Sequence, residues 1–185
     1  AVDTSAPGTT LRPIAITYDA SSEKVVVFYP RDASSGRPYA AVGTVSGTSI
    51  SFGTPVKIID NFYTQYFAAA YDVTNQKVVM AYQDNGGNNH GKAVVGTVSG
   101  TSISFGSVVT FESATTSIIS MAYDENAGKI VIAYNDDGNS NYGTSIVGTV
   151  SGTSISFGSP VVFNSNYSGG IGATYEPVSQ NIVIA

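Results

Sequence analysis

Apolar residues in this chain come in short runs separated by polar turns, and none recur at helical spacing. Four runs (25–29, 78–82, 130–134 and 182–185) hold mostly Val, Ile, Met and Ala, and the first three close on Tyr29, Tyr82 and Tyr134. Each follows a small apolar run that ends on a Tyr-acid pair: Tyr18-Asp19, Tyr71-Asp72, Tyr123-Asp124 and Tyr175-Glu176. Runs of about 4–8 residues bounded by turn residues predict strands, because a helix burying one face needs a longer periodic stretch. A further segment alternates: Ser49, Ile50, Ser51 and Phe52 place Ile50 and Phe52 on one face and the serines on the other. The Ser-Gly pairs ahead of that segment and its copies (Ser46-Gly47, Ser99-Gly100, Ser151-Gly152) predict two-residue hairpin turns, glycine supplying the positive φ. With no capped 3.6-residue pattern anywhere, the chain is predicted to be all-β.

The elements recur as a unit. Residues 43–53, GTVSGTSISFG, return unchanged at 96–106 and 148–158, at spacings of 53 and 52 residues. Each unit reads as four strands: A, as at 67–71; B, as at 77–82; C, as at 93–98; and D, as at 49–52. Units fall at approximately 11–58, 65–111 and 117–163, with a partial one at 169–185, inside a single domain spanning 1–185. Four-stranded antiparallel meanders at this period match the blades of a β-propeller, whose WD40 and kelch units run about 40–50 residues. A β-trefoil, with three four-stranded repeats, is the alternative; the half-repeat after the third copy argues against its closure. About 3.5 blades do not close a ring and would leave open strand edges. The expectation is therefore a piece of a longer propeller chain, or two copies completing seven blades together. The Ala at position 1 favours a fragment or processed product.

Composition changes the picture in a few places. There are no cysteines, so disulfides and thiolate metal sites are excluded. Eight basic against thirteen acidic residues argue against nucleic-acid or anionic-membrane partners. No apolar run reaches membrane-spanning length. Charged residues make up only 11% of the chain, so solubility rests on Ser, Thr, Asn and Tyr, a composition associated with extracellular and virion β-proteins.

Candidate chemistry lies where the copies differ. In a propeller meander the B–C loops (30–38, 83–91, 135–143) and the D–A connections open on the same face. At one matching loop position stand Arg37, His90 and Tyr142, with Asn89 and Asn141 beside the latter two. The D–A connections carry Asn61, Phe62, Tyr63, Gln65 and Tyr66 in one copy, residues 112–116 in the next, and Asn164, Asn166 and Tyr167 in the third. A constant frame with varied residues on one rim is how a binding face is built. Tyr and His rings with Asn, Asp and Gln amides and carboxylates suit sugar faces and vicinal hydroxyls. The ligand-binding candidates are accordingly Arg37, Asn61, Tyr63, Tyr66, Asn89, His90, Asn141, Tyr142, Asn166 and Tyr167. The opposing reading is that Asn, Asp and Gly are turn formers.

Enzyme chemistry finds little footing. His90 is the sole histidine and no nucleophile-elbow motif accompanies it. The arginines Arg12, Arg31 and Arg37 all lie in the first unit, and near-identical units offer no specialised pair of carboxylates for glycoside hydrolysis. No cofactor is expected. The loops at 84–89 and 136–141 resemble oxygen-rich calcium loops but lack the closing bidentate acid, so an Asx-turn is the leading reading and calcium the lesser one. Asp19, Asp72 and Asp124, five residues before Lys24, Lys77 and Lys129, predict cross-strand ion pairs with turn-forming Asp.

The string VGTVSGTSISFG followed by Ser/Thr-Pro-Val-Val-Phe, with KVVxAYxDxGNSxYG upstream, resembles tandem propeller repeats of marine phage tail-fibre and bacterial surface proteins, adhesin- or lectin-like. Residues 129–143 with 147–163 carry it best, and 77–111 nearly as well; the likeness covers all but residues 1–11. The first unit departs in its B–C loop, at Pro30-Arg31-Asp32 and Arg37-Pro38. The resemblance implies surface recognition and supplies no catalytic residues. The expectation is thus a non-enzymatic binding module at a cell or virion surface, recognising a glycan or surface receptor through the loop rim. The alternative is a structural or assembly component, a homodimer or a propeller completed by further blades.

Overall fold

The computed structural model describes residues 14–31, 36–60 and 64–185, and they form an all-β protein of antiparallel sheets with one short 3-10 turn at Asp137–Asn139. The A strands are β1 (Ala15–Asp19), β6 (Thr64–Asp72), the second half of β10 (Val109–Asp124) and β15 (Ala173–Glu176). The B strands are β2 (Lys24–Arg31), β7 (Lys77–Asp84), β11 (Lys129–Asp136) and β16 (Asn181–Ile184). C strands follow as β3 (Arg37–Ser46), β8 (His90–Ser99) and β12 (Tyr142–Ser151). Position D is a strand in two pieces. These are β4 (Ser49–Phe52) with β5 (Val56–Lys57), β9 (Ser102–Phe105) with the start of β10, and β13 (Ser154–Phe157) with β14 (Val161–Tyr167). Both pieces pair with the same C strand, so each full unit is an A-B-C-D meander.

The C–D hairpin shows why the repeat block is invariant. Ser46 pairs with Ser49, leaving Gly47-Thr48 as the central turn residues, one position on from the expected Ser46-Gly47. Gly47, Gly100 and Gly152 all take φ near +58°, a left-handed conformation that costs a Cβ-bearing residue about 1–2 kcal/mol. Gly106 has a different task. A Cβ there would lie 1.8 Å from the Thr153 carbonyl oxygen of the following unit, so only glycine permits that close approach of the two units.

The B strands are buried on both faces because they lie between neighbouring sheets. Val26, Phe28, Ala40 and Val42 of the first unit pack on Val78, Met80, Tyr82, Val94 and Ile103 of the second. Val79, Ala81, Val95 and Phe111 of the second unit pack in the same way on Ile130, Ile132, Tyr134 and Ile155 of the third. Alternate residues of one B strand thus serve two different cores, as a period of two requires. The A strands of successive units run side by side, β1 with β6, β6 with β10 and β10 with β15.

A hydrogen bond repeats at each junction. The Tyr71 hydroxyl accepts from the Ser21 N–H (3.1 Å), and that of Tyr123 accepts from the Thr74 N–H (3.2 Å) and donates to Thr74 Oγ1 (2.7 Å). Tyr175 takes a hydrogen bond from the backbone of Asn126. Ser21, Thr74 and Asn126 each stand two residues after the acid of their own A–B turn. Those acids are turn caps: Asp19 accepts from Ser21 and Ser22, Asp72 from Asn75, Asp124 from Asn126 and Ala127, and Glu176 from Val178 and Ser179. The expected ion pairs with Lys24, Lys77 and Lys129 do not form among the described residues, although the register places those lysines opposite the acids. The turn N–H groups lie closer to the carboxylates and have no strand partner, whereas a lysine tip is readily hydrated.

Candidate functional site

The B–C loops and D–A segments meet at one end of each sheet, opposite the A–B and C–D turns. In the second unit, His90 is opposite both Asp84 and Thr115; in the third, Tyr142 is opposite both Asp136 and Tyr167. The tyrosine latches join A–B turns of consecutive units, so the opposite ends of those sheets share a side as well. The D–A segments differ from the expected open connections. Residues 112–116 lie within β10, and Asn164, Asn166 and Tyr167 within β14. The cause is Phe111, which seats over Gly91, and Phe163, which seats over Gly143. A Cβ on those glycines would stand 2.5 and 2.7 Å from the rings, so the close fit carries the strand on past its bend.

Two of the predicted site residues have a structural task. Gly36, Asn89 and Asn141, each just before a C strand, share φ of +56° to +60°. Asn tolerates that region better than other Cβ-bearing residues. The Asn89 carbonyl accepts from the Thr116 N–H (3.0 Å) and the Asn141 carbonyl from the Ser168 N–H (3.2 Å), tying the B–C loop to the start of the next A strand. Their side chains remain partly exposed.

The rim positions that differ between units are diverse in chemistry. Tyr167 is 71% exposed beside Tyr142. Asn166 donates to Asn164 from both its backbone and its side-chain nitrogen. Tyr66 is exposed at a β-bulge in β6 and takes φ of +52°; Ile118 occupies the equivalent bulge of β10 at +49°. Bulky residues at positive φ are outliers, and bulges re-aim side chains. In the first unit Arg31 lies over the Tyr39 ring at 5.2 Å, Arg37 pairs with Arg31 in register, and Lys57 bonds Asp60. Asn61 and Tyr63 lie outside the described residues.

Beneath the rim is a buried polar layer that the sequence reading missed. The Gln83 amide donates to the Thr116 carbonyl, and the Asn135 amide to the Ser168 carbonyl (2.9 Å). Asp84 is buried with Lys92 at 3.7 Å. Tyr134 donates to Glu112 Oε2 (3.1 Å), while Glu112 Oε1 accepts from the Ala114 N–H (2.9 Å). Burial, and then the charge of Glu112, holds the Asp136 carboxyl above its ordinary value. Burial likewise raises Tyr134, helped by Glu112. The signal for this layer was present: a polar pair, Gln83-Asp84 or Asn135-Asp136, breaks each apolar run right after its tyrosine.

The calcium-like loops spend their acids internally. Asp136 accepts from the Asn139 N–H, and the Asp84 carbonyl from Gly87 and Asn89. Among the described residues no group of three or more His, Asp or Glu side chains is placed to hold a metal ion. Nor is any helix there long and apolar enough to cross a membrane. Comparison with protein-family models and with curated proteins finds no match to this chain.

Proposed function

We propose that this protein is a non-enzymatic binding module, built from β-propeller blades, that recognises a glycan or surface receptor through the B–C and D–A rim. The blade reading is supported by the four-stranded meander of each unit, by side-by-side A strands, and by sheets stacked face to face in chain order. Consecutive stacking favours a propeller over a trefoil, in which strands of each repeat divide between a barrel and a cap. The observation that carries the binding reading is the pairing of Tyr142 with Tyr167, where 71% of Tyr167 is left exposed at the edge of an otherwise constant frame. An exposed tyrosine ring beside the Asn164–Asn166 amides offers a stacking face and a set of donors and acceptors, the combination a sugar ring uses. An extracellular or virion-surface location accords with this reading.

A glycan array probed with the 185-residue chain tests it. Binding to a defined glycan class, lost in Tyr167→Ala and weakened in Tyr66→Ala, is the expected result. No hit on the array, or hits indifferent to both substitutions, would remove the proposal.

A further inference from the structure

The face that the first unit turns away from the second is made of residues that every other unit buries. Ile50 is 47% exposed, whereas its equivalents Ile103 and Ile155 are 3% and 2% exposed. Tyr18 is 52% exposed, whereas Tyr123 at the same position is buried with its hydroxyl on Thr74. Val45 and Phe52 are exposed beside them. This leading face therefore carries the complete apolar set, and the latch tyrosine, that units two and three use to seat on the unit before them.

The other end of the molecule carries the matching half. Val183 in β16 is 47% exposed, although its equivalents Val26 and Val79 are wholly buried against the following sheet. The turn from Glu176 to Ser179 repeats the receptor geometry of the earlier A–B turns: the Glu176 carboxylate caps the N–H groups of Val178 and Ser179, as Asp19 caps Ser21 and Ser22. Val178 stands where Ser21, Thr74 and Asn126 each meet a tyrosine of the next unit, and it is exposed. Donor and receptor surfaces of one internal interface are thus both exposed on the same chain.

We propose that a second copy of this chain docks head to tail, the leading face of its first unit on the trailing face of the fourth, with Tyr18 of one copy reaching the Glu176–Ser179 turn of the other. Such a contact is heterologous, so a closed ring or a longer series follows from the angle between copies. The same kind of junction already recurs inside the chain, with chemically equivalent residues at each step. The proposal is independent of what the rim binds.

Sedimentation equilibrium of the 185-residue chain should show concentration-dependent association. Ile50→Asp on the leading face and Val183→Asp on the trailing face should each weaken it by about tenfold or more, as burying an unpaired charge at an interface does. Mixing the two variants should restore a heterodimer, since one intact face of each kind remains. The chain has no cysteine, so Tyr18→Cys with Val178→Cys in one polypeptide supplies a check that needs no disruptive substitution: oxidation should give disulfide-linked dimers and higher species. A monodisperse monomer at about 100 µM, a concentration at which even a weak specific contact would register, would overturn the proposal. So would association abolished by Ile50→Asp but untouched by Val183→Asp, because two leading faces would then be meeting each other.

Discussion

The two ends of each sheet solve the same problem in opposite ways. At the A–B and C–D end, every unit uses one solution: an acid caps its own turn, a tyrosine from the next unit bonds that turn, and a glycine at positive φ closes the hairpin. At the rim end the units diverge. The second and third anchor the D–A segment with a buried amide, Gln83 or Asn135, while the first has Pro30 there and anchors Thr64 by its hydroxyl to the Gly36 carbonyl (3.3 Å). Repetition at the turn end keeps the junctions interchangeable, so the rim end is free to differ from unit to unit. The difference teaches where change is tolerated: a rim substitution alters one loop, but a turn-end substitution alters a joint between sheets.

The harshest way to break that contrast is at the turn end. Gly106→Ala would place a Cβ 1.8 Å from the Thr153 carbonyl oxygen, which is backbone and has no rotamer to yield. The cost should be about 1–3 kcal/mol, the usual range for overpacking, read as a fall in the urea midpoint. Gly158 occupies the same place in the repeat but would meet only the Val147 carbonyl at 3.8 Å, so Gly158→Ala should be nearly neutral. Equal losses at the two glycines would mean that the cost is local to the strand and not to the joint.

At the rim, Asn135→Leu probes the buried amide. The Ser168 carbonyl would lose its donor inside the protein, at about 1–3 kcal/mol. Pro30→Ala in the first unit touches no such bond and should stay within about 0.5 kcal/mol, the range of ordinary surface changes. If both substitutions cost the same, the amide tie is not what distinguishes the rims.

Much of the frame could be read from the residues, because three copies of one block fix the period, the strand order and the hairpin turn. What escaped was non-local. Nothing near Asn89 or Asn141 in sequence says that their carbonyls receive N–H groups some 27 residues further on, at Thr116 and Ser168. Residues 112–116 look like a connection until Phe111 is seen to lock over Gly91 and carry the strand onward. The acids of the A–B turns were legible as turn formers, yet their register with lysines suggested pairing across the hairpin. Geometry decided otherwise, since the capped N–H groups sit within the turn itself. For the candidate site, sequence indicated the positions that vary, and the structure adds which of them adjoin: Tyr142 with Tyr167, and His90 with Thr115 and Asp84.

The smallest effect separates the two ends by charge. Asp19 and Asp136 are both buried, and burial pushes both carboxyls up. At Asp19 the bonds from Ser21, Ser22 and Tyr71 outweigh burial, and the carboxyl sits below its ordinary 3.8. At Asp136 the charge of Glu112 adds to burial and the carboxyl sits above 3.8. The signs follow from linkage: a lowered acid contributes stability that is present above the unfolded value and lost as pH falls through the folded one. A raised acid does the reverse, because the folded state holds its proton more tightly and loses stability as pH climbs from 3.8 through the folded value. Asp136→Asn keeps an oxygen for the Asn139 N–H but cannot ionise, so its melting temperature should exceed that of the parent above this window and approach it below pH 3.8. Asp19→Asn should show the opposite: a deficit above pH 3.8 that closes as the solution is acidified. Parallel pH profiles for the two variants would mean that the hydroxyl and N–H donors at the turn and the carboxylate neighbour at the rim do not set these acids apart.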